Sequence, residues 1–184
     1  MSTLAVNSLT SQTGTTITLA SGRTLDVSNG TVTGLGELGK TLQTKYSSKV
    51  QNIVNNTSGF SEISTNMRVS LTIQSTTSFL DFTCPLYTEV DGVATHGMAQ
   101  LQYSTNSGSS WSAIGTYNIT QALDNGVGFG FTDYWDHNLS ANTAVLFRVQ
   151  YRKGNTTGNH AIADTGPGEN PSAYLKVSEI IAST

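Results

Sequence analysis

Short segments in which apolar and polar residues alternate recur along this chain, and turn-forming residues separate them. In the clearest segment, residues 144–151, alternate positions are apolar and therefore share one face: Val145, Phe147, Val149 and Tyr151. Seven further segments are predicted strands: Thr41–Ser47, Arg68–Gln74, Phe79–Thr83, Met98–Ser104, Trp111–Asn118, Val127–Phe131 and Ala173–Ile181. About eight short, regularly punctuated strands predict an all-β fold, a sandwich or jelly roll, rather than an alternating α/β fold.

The composition also favours strands over helices. Ser and Thr together number 50 of the 184 residues, and charged residues make up only 11% of the chain, well below the roughly 25% of an average soluble protein. Such a composition disfavours helical bundles and coiled coils. The formal net charge is −3 and no basic cluster is present. Nucleic acid is therefore not an expected partner, because phosphate neutralisation needs clustered Lys and Arg.

The chain divides at a glycine-rich joint, residues 34–39. Residues 1–38 are predicted to form a short N-terminal β-strand arm, and residues 39–184 a jelly-roll-like β-sandwich head. The joint matches the spacing Gly-x-Gly-x-x-Gly, but neither a convincing helix nor a βαβ unit accompanies it, so a dinucleotide site is not expected. No apolar run approaches the ~20 residues of a membrane-spanning helix, and membrane insertion is not expected either.

Apolar residues of the arm come in alternating pairs, and two of these pairs, Ile17-x-Leu19 and Leu25-x-Val27, lie eight residues apart. Each pair indicates a short strand with one apolar face. Because a lone hairpin is marginal in water, these strands need another chain or a host surface to cover them. The alternative is a polar arm without regular structure, which the regular pairing disfavours. The predicted attachment residues are Leu4, Val6, Leu9, Ile17, Leu19, Leu25 and Val27.

Motifs of catalysis are missing from the sequence. The single cysteine, Cys84, stands among apolar residues with no His or Lys near it in sequence, so we expect an inert buried thiol. No Gly-x-Ser-x-Gly motif is present. Asp133 and Asp136 are the only close acidic pair among aromatic residues, which is too little to predict a glycoside hydrolase. We therefore expect no enzymatic activity, no cofactor and no resident metal.

One run gathers the best candidates for recognition at the surface: Asp133, Tyr134, Trp135, Asp136 and His137. Its two carboxylates and its imidazole could bind a divalent cation. Its aromatic rings, together with Trp111, could stack on sugar rings. The alternative is a polar loop between strands, whose aromatic residues pack into the sandwich.

The segment Ser104–Trp111 resembles the Asp-box hairpin of sialidases, with Asn106 where that motif has Asp. In that family the box is a structural turn and recurs on a propeller. This chain has one copy and is too short for a propeller. The resemblance implies a β-hairpin turn that buries Trp111.

Both ends of the chain resemble small virion structural proteins of tailed bacteriophages, especially marine and cyanobacterial ones. The segments that carry this resemblance are Met1–Thr10, Gly14–Leu19, Ser21–Val27, Gly39–Gln43, Phe147–Arg152 and Leu175–Ile180. The middle of the chain, about residues 50–140, is diverged. Members of this group are fibre, head-fibre or virion structural proteins. The resemblance implies a homotrimer with a compact β head at the C-terminus.

These observations lead to a non-enzymatic protein on the surface of a phage virion. The first expectation is a trimeric capsid decoration (cement) protein or head fibre, which grips the major capsid protein through residues 1–38. The alternative is a tail fibre or receptor-binding tip, which attaches to a tail adaptor and recognises a host-surface glycan. A short arm favours decoration, because tail fibres usually carry a sizeable adaptor domain. A carbohydrate-binding module is the more remote alternative.

Overall fold

The computed structural model describes residues 39–51, 53–54, 57–91, 96–120, 127–154, 159–162 and 172–181. These residues form an all-β structure with one short 3₁₀ turn, Thr65–Met67. The strands are β1 (Thr41–Tyr46), β2 (Ile53–Val54), β3 (Ser61–Glu62), β4 (Val69–Thr72), β5 (Ser78–Asp91), β6 (His96–Ser104), β7 (Ser112–Thr120), β8 (Val127–Trp135), β9 (Ala144–Lys153), β10 (Asn159–Ile162) and β11 (Lys176–Ile181). The predicted arm, residues 1–38, and its seven attachment residues lie outside the described residues.

The strands form two antiparallel sheets that pack as a sandwich. In sheet 1 the long strand β5 pairs with β8 along one side. On its other side β5 pairs first with β11 and then with β10, and β1 and β2 lie beyond these two strands. In sheet 2 the central strand β9 pairs with β3 and β4 on one side and with β6 on the other, and β7 lies beyond β6.

The core lies between the two sheets and follows the period-two alternation. The inward residues of β5 and of β9 are at most 1% exposed: Leu80, Phe82, Cys84, Leu86, Val145, Phe147, Val149 and Tyr151. The rings of Phe82 and Phe147 meet across the two sheets with their centroids 5.3 Å apart. The predicted inward face of residues 144–151 is therefore confirmed. The predicted burial of the Cys84 thiol is confirmed as well, and this burial raises the pKa of the thiol.

Strand β5 continues well past the predicted segment Phe79–Thr83, through Pro85. Proline has no N–H to donate, so its presence in a central strand needs a local reason. The reason is that β11 pairs with residues 78–83 of β5 and β10 pairs with residues 88–91. Pro85 stands between these two pairings, where its missing donor breaks neither of them.

Candidate functional site

The predicted recognition run lies on β8 and directly after it, and most of it is strand rather than loop. Strand β8 extends to Trp135, four residues beyond the predicted end at Phe131. Side chains alternate along a strand, so neighbouring residues of the run face opposite sides of sheet 1. Asp133 and Trp135 are partly buried, and His137 is buried, whereas Tyr134 and Asp136 are exposed. The five residues therefore do not form one cluster at the surface.

Trp135 packs inside the sandwich. Its ring lies 4.4 Å from that of Tyr103 and contacts Phe147 and His137 edge-on, at 6.5 and 5.9 Å between centroids. Its burial follows from its place on the inward face of β8, opposite Leu80 of β5. Trp135 therefore contributes packing and presents no ring to a ligand at the surface.

Asp133 joins the neighbouring edges of the two sheets. Its carboxylate accepts a hydrogen bond from the hydroxyl of Tyr117 on β7. The Tyr117 ring stacks on Phe131 of β8 with a centroid distance of 4.1 Å. Burial raises the pKa of Tyr117, and the hydrogen bond to Asp133 raises it further. Asp133 therefore has a structural role at the edge of the sandwich.

His137 belongs to a buried polar network with Ser78 and Glu179. The amide of Leu139 donates to His137 Nδ1 at 3.2 Å, so the proton of the neutral ring is on Nε2. Nε2 lies 3.2 Å from Ser78 Oγ and donates to it. The Ser78 hydroxyl in turn donates to Glu179 Oε1 at 2.7 Å. Burial lowers the pKa of His137, although the nearby carboxylates of Glu179 and Asp136 oppose this shift.

Glu179 is fully buried but well supplied with hydrogen-bond donors. The backbone amides of Gln74 and Ser75 donate to it at 2.9 and 3.0 Å, and the Gln43 side chain donates at 2.6 Å. Burial alone would raise its pKa, but these donors and Ser78 outweigh burial, and the pKa is lowered. The carboxylate is therefore held in its charged form.

The Ser78, His137 and Glu179 trio differs from a nucleophilic triad in its proton path. A nucleophilic serine gives its proton to histidine, and the acid orients that histidine. Here the histidine donates to the serine, and the serine donates to the acid. Ser78 is also only 1% exposed. The trio therefore connects β5, β11 and the segment after β8. Its donor order and its burial favour a structural role over a catalytic one.

The outward residues of the run form one wall of an open cleft on the outer face of sheet 1. The cleft is lined by Tyr134 and Asp136 together with Phe79 and Asp81 of β5, and its volume is about 480 Å³. Tyr134 is 70% exposed, and its ring meets Phe79 edge-on at 6.5 Å. Aromatic rings beside carboxylates can bind a sugar ring or an organic cation.

Two residues that line the cleft, Phe79 and Asp81, were not among the residues predicted from the sequence. They occupy the outward positions of a strand whose inward residues are Leu80 and Phe82, so alternation alone would have placed them on a surface. Glu179 was missed as well. Its signal was a charged residue at the inward position next to Val177 in the last strand.

Metal-binding groups do not converge in the part of the chain that the structure describes. Within these residues, no three or more His, Cys, Asp or Glu side chains are close enough together to hold a metal ion. In particular, Asp133 is partly buried against Tyr117, whereas Asp136 is exposed in the cleft.

The hairpin between β6 and β7 forms the turn that the Asp-box resemblance implied. Ser104 Oγ accepts from the Gly108 amide at 2.9 Å and donates to Asn106 Oδ1 at 2.8 Å. Gly108 has a φ of +88°, which favours glycine. Trp111 is partly buried rather than fully buried, and the guanidinium of Arg148 lies over its ring at 4.1 Å.

No family model matches this chain, and no curated protein is significantly similar to it. Among the described residues, no helix is long and apolar enough to cross a membrane.

Proposed function

We propose that this chain is a non-enzymatic structural protein on the surface of a tailed-phage virion, namely a trimeric capsid decoration protein or head fibre. The observation that carries the proposal is the strand order of the head, because double-sheet jelly rolls are common in viral capsid domains. The resemblance of both chain ends to small phage virion proteins supports the same conclusion.

The strand order supports a jelly roll in detail. Eight strands make up the body of the sandwich, and β2, β3 and β10 are short additions to it. Sheet 1 then has the order β1-β11-β5-β8, and sheet 2 has the order β4-β9-β6-β7. In chain order these are the first, eighth, third and sixth strands, and the second, seventh, fourth and fifth, as in a jelly roll. A crystal structure in which β1 pairs with a strand other than β11 would contradict this assignment.

The proposed assembly is a homotrimer. Apolar strand-like pairs in residues 1–38 need a partner to cover them, and sister copies would supply it. Light scattering of the purified full-length chain is expected to give about three times the protomer mass of 19.5 kDa. A stable monomer at micromolar concentration would contradict the trimer.

The experiment that tests the function is to label this protein in purified particles and count its copies. A decoration protein or head fibre is expected on the shell, in numbers that follow the shell symmetry. A handful of copies at the tail would instead favour a tail fibre or receptor-binding tip. Absence from purified particles would contradict a virion role altogether.

The second candidate, a tail tip that recognises a host-surface glycan, is favoured by one specific observation. Tyr134 presents most of its ring to solvent beside two carboxylates, which could accept hydrogen bonds from sugar hydroxyls. Titration with host-envelope oligosaccharides tests it, and Tyr134→Ala is expected to abolish any binding. No binding of these oligosaccharides would leave decoration as the remaining proposal.

A further inference from the structure

The cleft on the outer face of sheet 1 combines two kinds of side chain in a checkerboard. Asp81 of β5 stands opposite Tyr134 of β8, and Leu80 stands opposite Trp135. Phe79 is therefore level with Asp136. The aromatic rings occupy one diagonal of the four positions and the carboxylates the other, so each carboxylate is adjacent to both rings.

Within the described part of the chain, neither carboxylate of the cleft has an ion-pair partner, although Lys176 of β11 stands diagonal to Asp81 on the same face. Asp81 and Asp136 form no hydrogen bond and no ion pair with any described residue. Two negative charges therefore lie beside two apolar rings, and the cleft favours a cation. A bound cation would be stabilised electrostatically both by the carboxylates and by the electron-rich faces of the rings.

The shape and lining of the cleft favour an organic cation with an apolar stem. A metal ion would find only two carboxylates and would gain little from the rings. A neutral sugar could stack on Tyr134 but would leave both charges without a counter-ion. A lysine or arginine side chain satisfies both requirements, because its methylene stem packs on the rings and its charged end reaches the carboxylates.

The strand register gives the position of the cleft along sheet 1. The Gly39 amide donates to the Ile181 carbonyl at the end of the sheet where the head begins. Thr41 pairs with Ile180, and Ile180 pairs with Phe79. The cleft therefore lies at the end of sheet 1 where the described part of the head begins, next to Gly39.

We infer that the cleft of Phe79, Asp81, Tyr134 and Asp136 binds a lysine or arginine side chain of the particle protein on which the head sits. This inference rests on the proposed function, which assigns attachment to residues 1–38. It extends the attachment surface from those residues onto the head itself.

The chemistry is tested first with the full-length chain and two probes, trilysine and its side-chain-acetylated form, by NMR titration. The acetylated peptide keeps the stems but loses the charges. Trilysine is expected to shift the resonances of β5 and β8 around the cleft, and the acetylated form is expected not to. Equal shifts by both peptides, or none by either, would overturn the inference.

Variants then locate the site. Tyr134→Ala is expected to weaken trilysine binding about two- to fivefold, as an exposed cation–π contact does. Combined Asp81→Asn and Asp136→Asn is expected to weaken it by roughly fivefold and to remove its salt dependence. The matched control is Tyr46→Ala, since Tyr46 is 63% exposed but lies three strand spacings, about 14 Å, from β8. A loss as large in Tyr46→Ala would contradict the assignment to this cleft.

Two further measurements separate the partner from the alternatives. Tighter binding of glucosamine oligomers than of trilysine would overturn the protein partner in favour of an amino sugar. In particles, the double Asn variant is expected at reduced occupancy, and wild-type occupancy would overturn the inference but leave the proposed function intact. If the wild-type chain is absent from particles, the proposed function fails and the particle partner fails with it, whatever the peptide titration shows.

Discussion

Glu179 and His137 belong to one buried polar network, in which Ser78 lies between them. A buried carboxylate is costly unless donors satisfy it, and four side-chain or backbone groups do so here. One of these donors, Gln43, also donates to the Thr72 carbonyl of β4 at 2.6 Å. The network therefore connects the edge of sheet 1 to sheet 2. The protonation of its titratable groups, Glu179 and His137, is thereby coupled to the stability of the head.

The network makes an acid-sensitive contribution to stability. In the fold, His137 must be neutral to accept the Leu139 amide, and its pKa is lowered relative to the unfolded chain. A group of this kind stabilises the fold fully above its unfolded pKa of about 6.5, and this contribution is lost as the pH falls below that value. We expect the free energy of unfolding, measured in urea, to decrease as the pH falls from about 7 to 5.

The variant His137→Asn is expected to remove this pH dependence, although it lowers stability at neutral pH. The titration of Glu179 does not interfere with this test. Its pKa is also lowered, so its contribution is lost in the same direction, but only below about pH 4.5. An unchanged slope between about pH 7 and 5 in the variant would show that His137 does not cause it.

Strands β5 and β8 form the pair that positions the cleft, and their close approach depends on a glycine. Gly130 of β8 stands opposite Pro85 of β5. A Cβ at Gly130 would lie 2.8 Å from the Cys84 carbonyl oxygen and 3.0 Å from Pro85 Cα. Both atoms belong to the backbone and cannot rotate away.

Gly130→Ala is therefore expected to destabilise the head by about 1–3 kcal/mol, as overpacking does. The matched control is Gly59→Ala, because a Cβ at Gly59 would meet nothing within 4 Å. That substitution is expected to change stability by no more than about 0.5 kcal/mol. Urea unfolding of both variants measures the difference, and equal stabilities would contradict the contact.

The sequence pattern predicted β9 and its inward face because apolar and polar residues strictly alternate there. It did not predict the full length of β5, because Pro85 interrupts any strand pattern, and only the change of partner from β11 to β10 explains why it is tolerated. It also did not predict the split of residues 133–137. Polar and aromatic residues appear on both faces of β8, so the sequence pattern does not show which face of this strand is buried. The cleft forms only where β5 and β8 pair side by side, and a pairing between strands so far apart in sequence could not be predicted from the local pattern.

Among the described residues, the arginines on the outer face of sheet 2 and the cleft carboxylates on the outer face of sheet 1 differ in whether they have partners. On sheet 2, Arg68 forms a bidentate ion pair with Glu62, and Arg148 lies over Trp111. Arg152 lies over Phe60 at 4.8 Å. These cations have partners within the head, whereas the carboxylates of the cleft on sheet 1 have none among the described residues. Sheet 1 is therefore the face that we expect to meet a partner.

The most direct test of the proposed virion protein is incorporation into particles with and without residues 1–38. The head has its own core, so residues 39–184 are expected to fold and to keep the β circular dichroism of the full chain. Leu25→Asp is a point version of the same test, and Thr24→Asp, on the opposite face of the predicted strand, is its control.

We predict that quantitative mass spectrometry of purified particles will find the full chain and Thr24→Asp on particles, and will find neither the truncated chain nor Leu25→Asp. Full occupancy by the truncated chain would contradict the account, because the head alone would then carry the attachment surface.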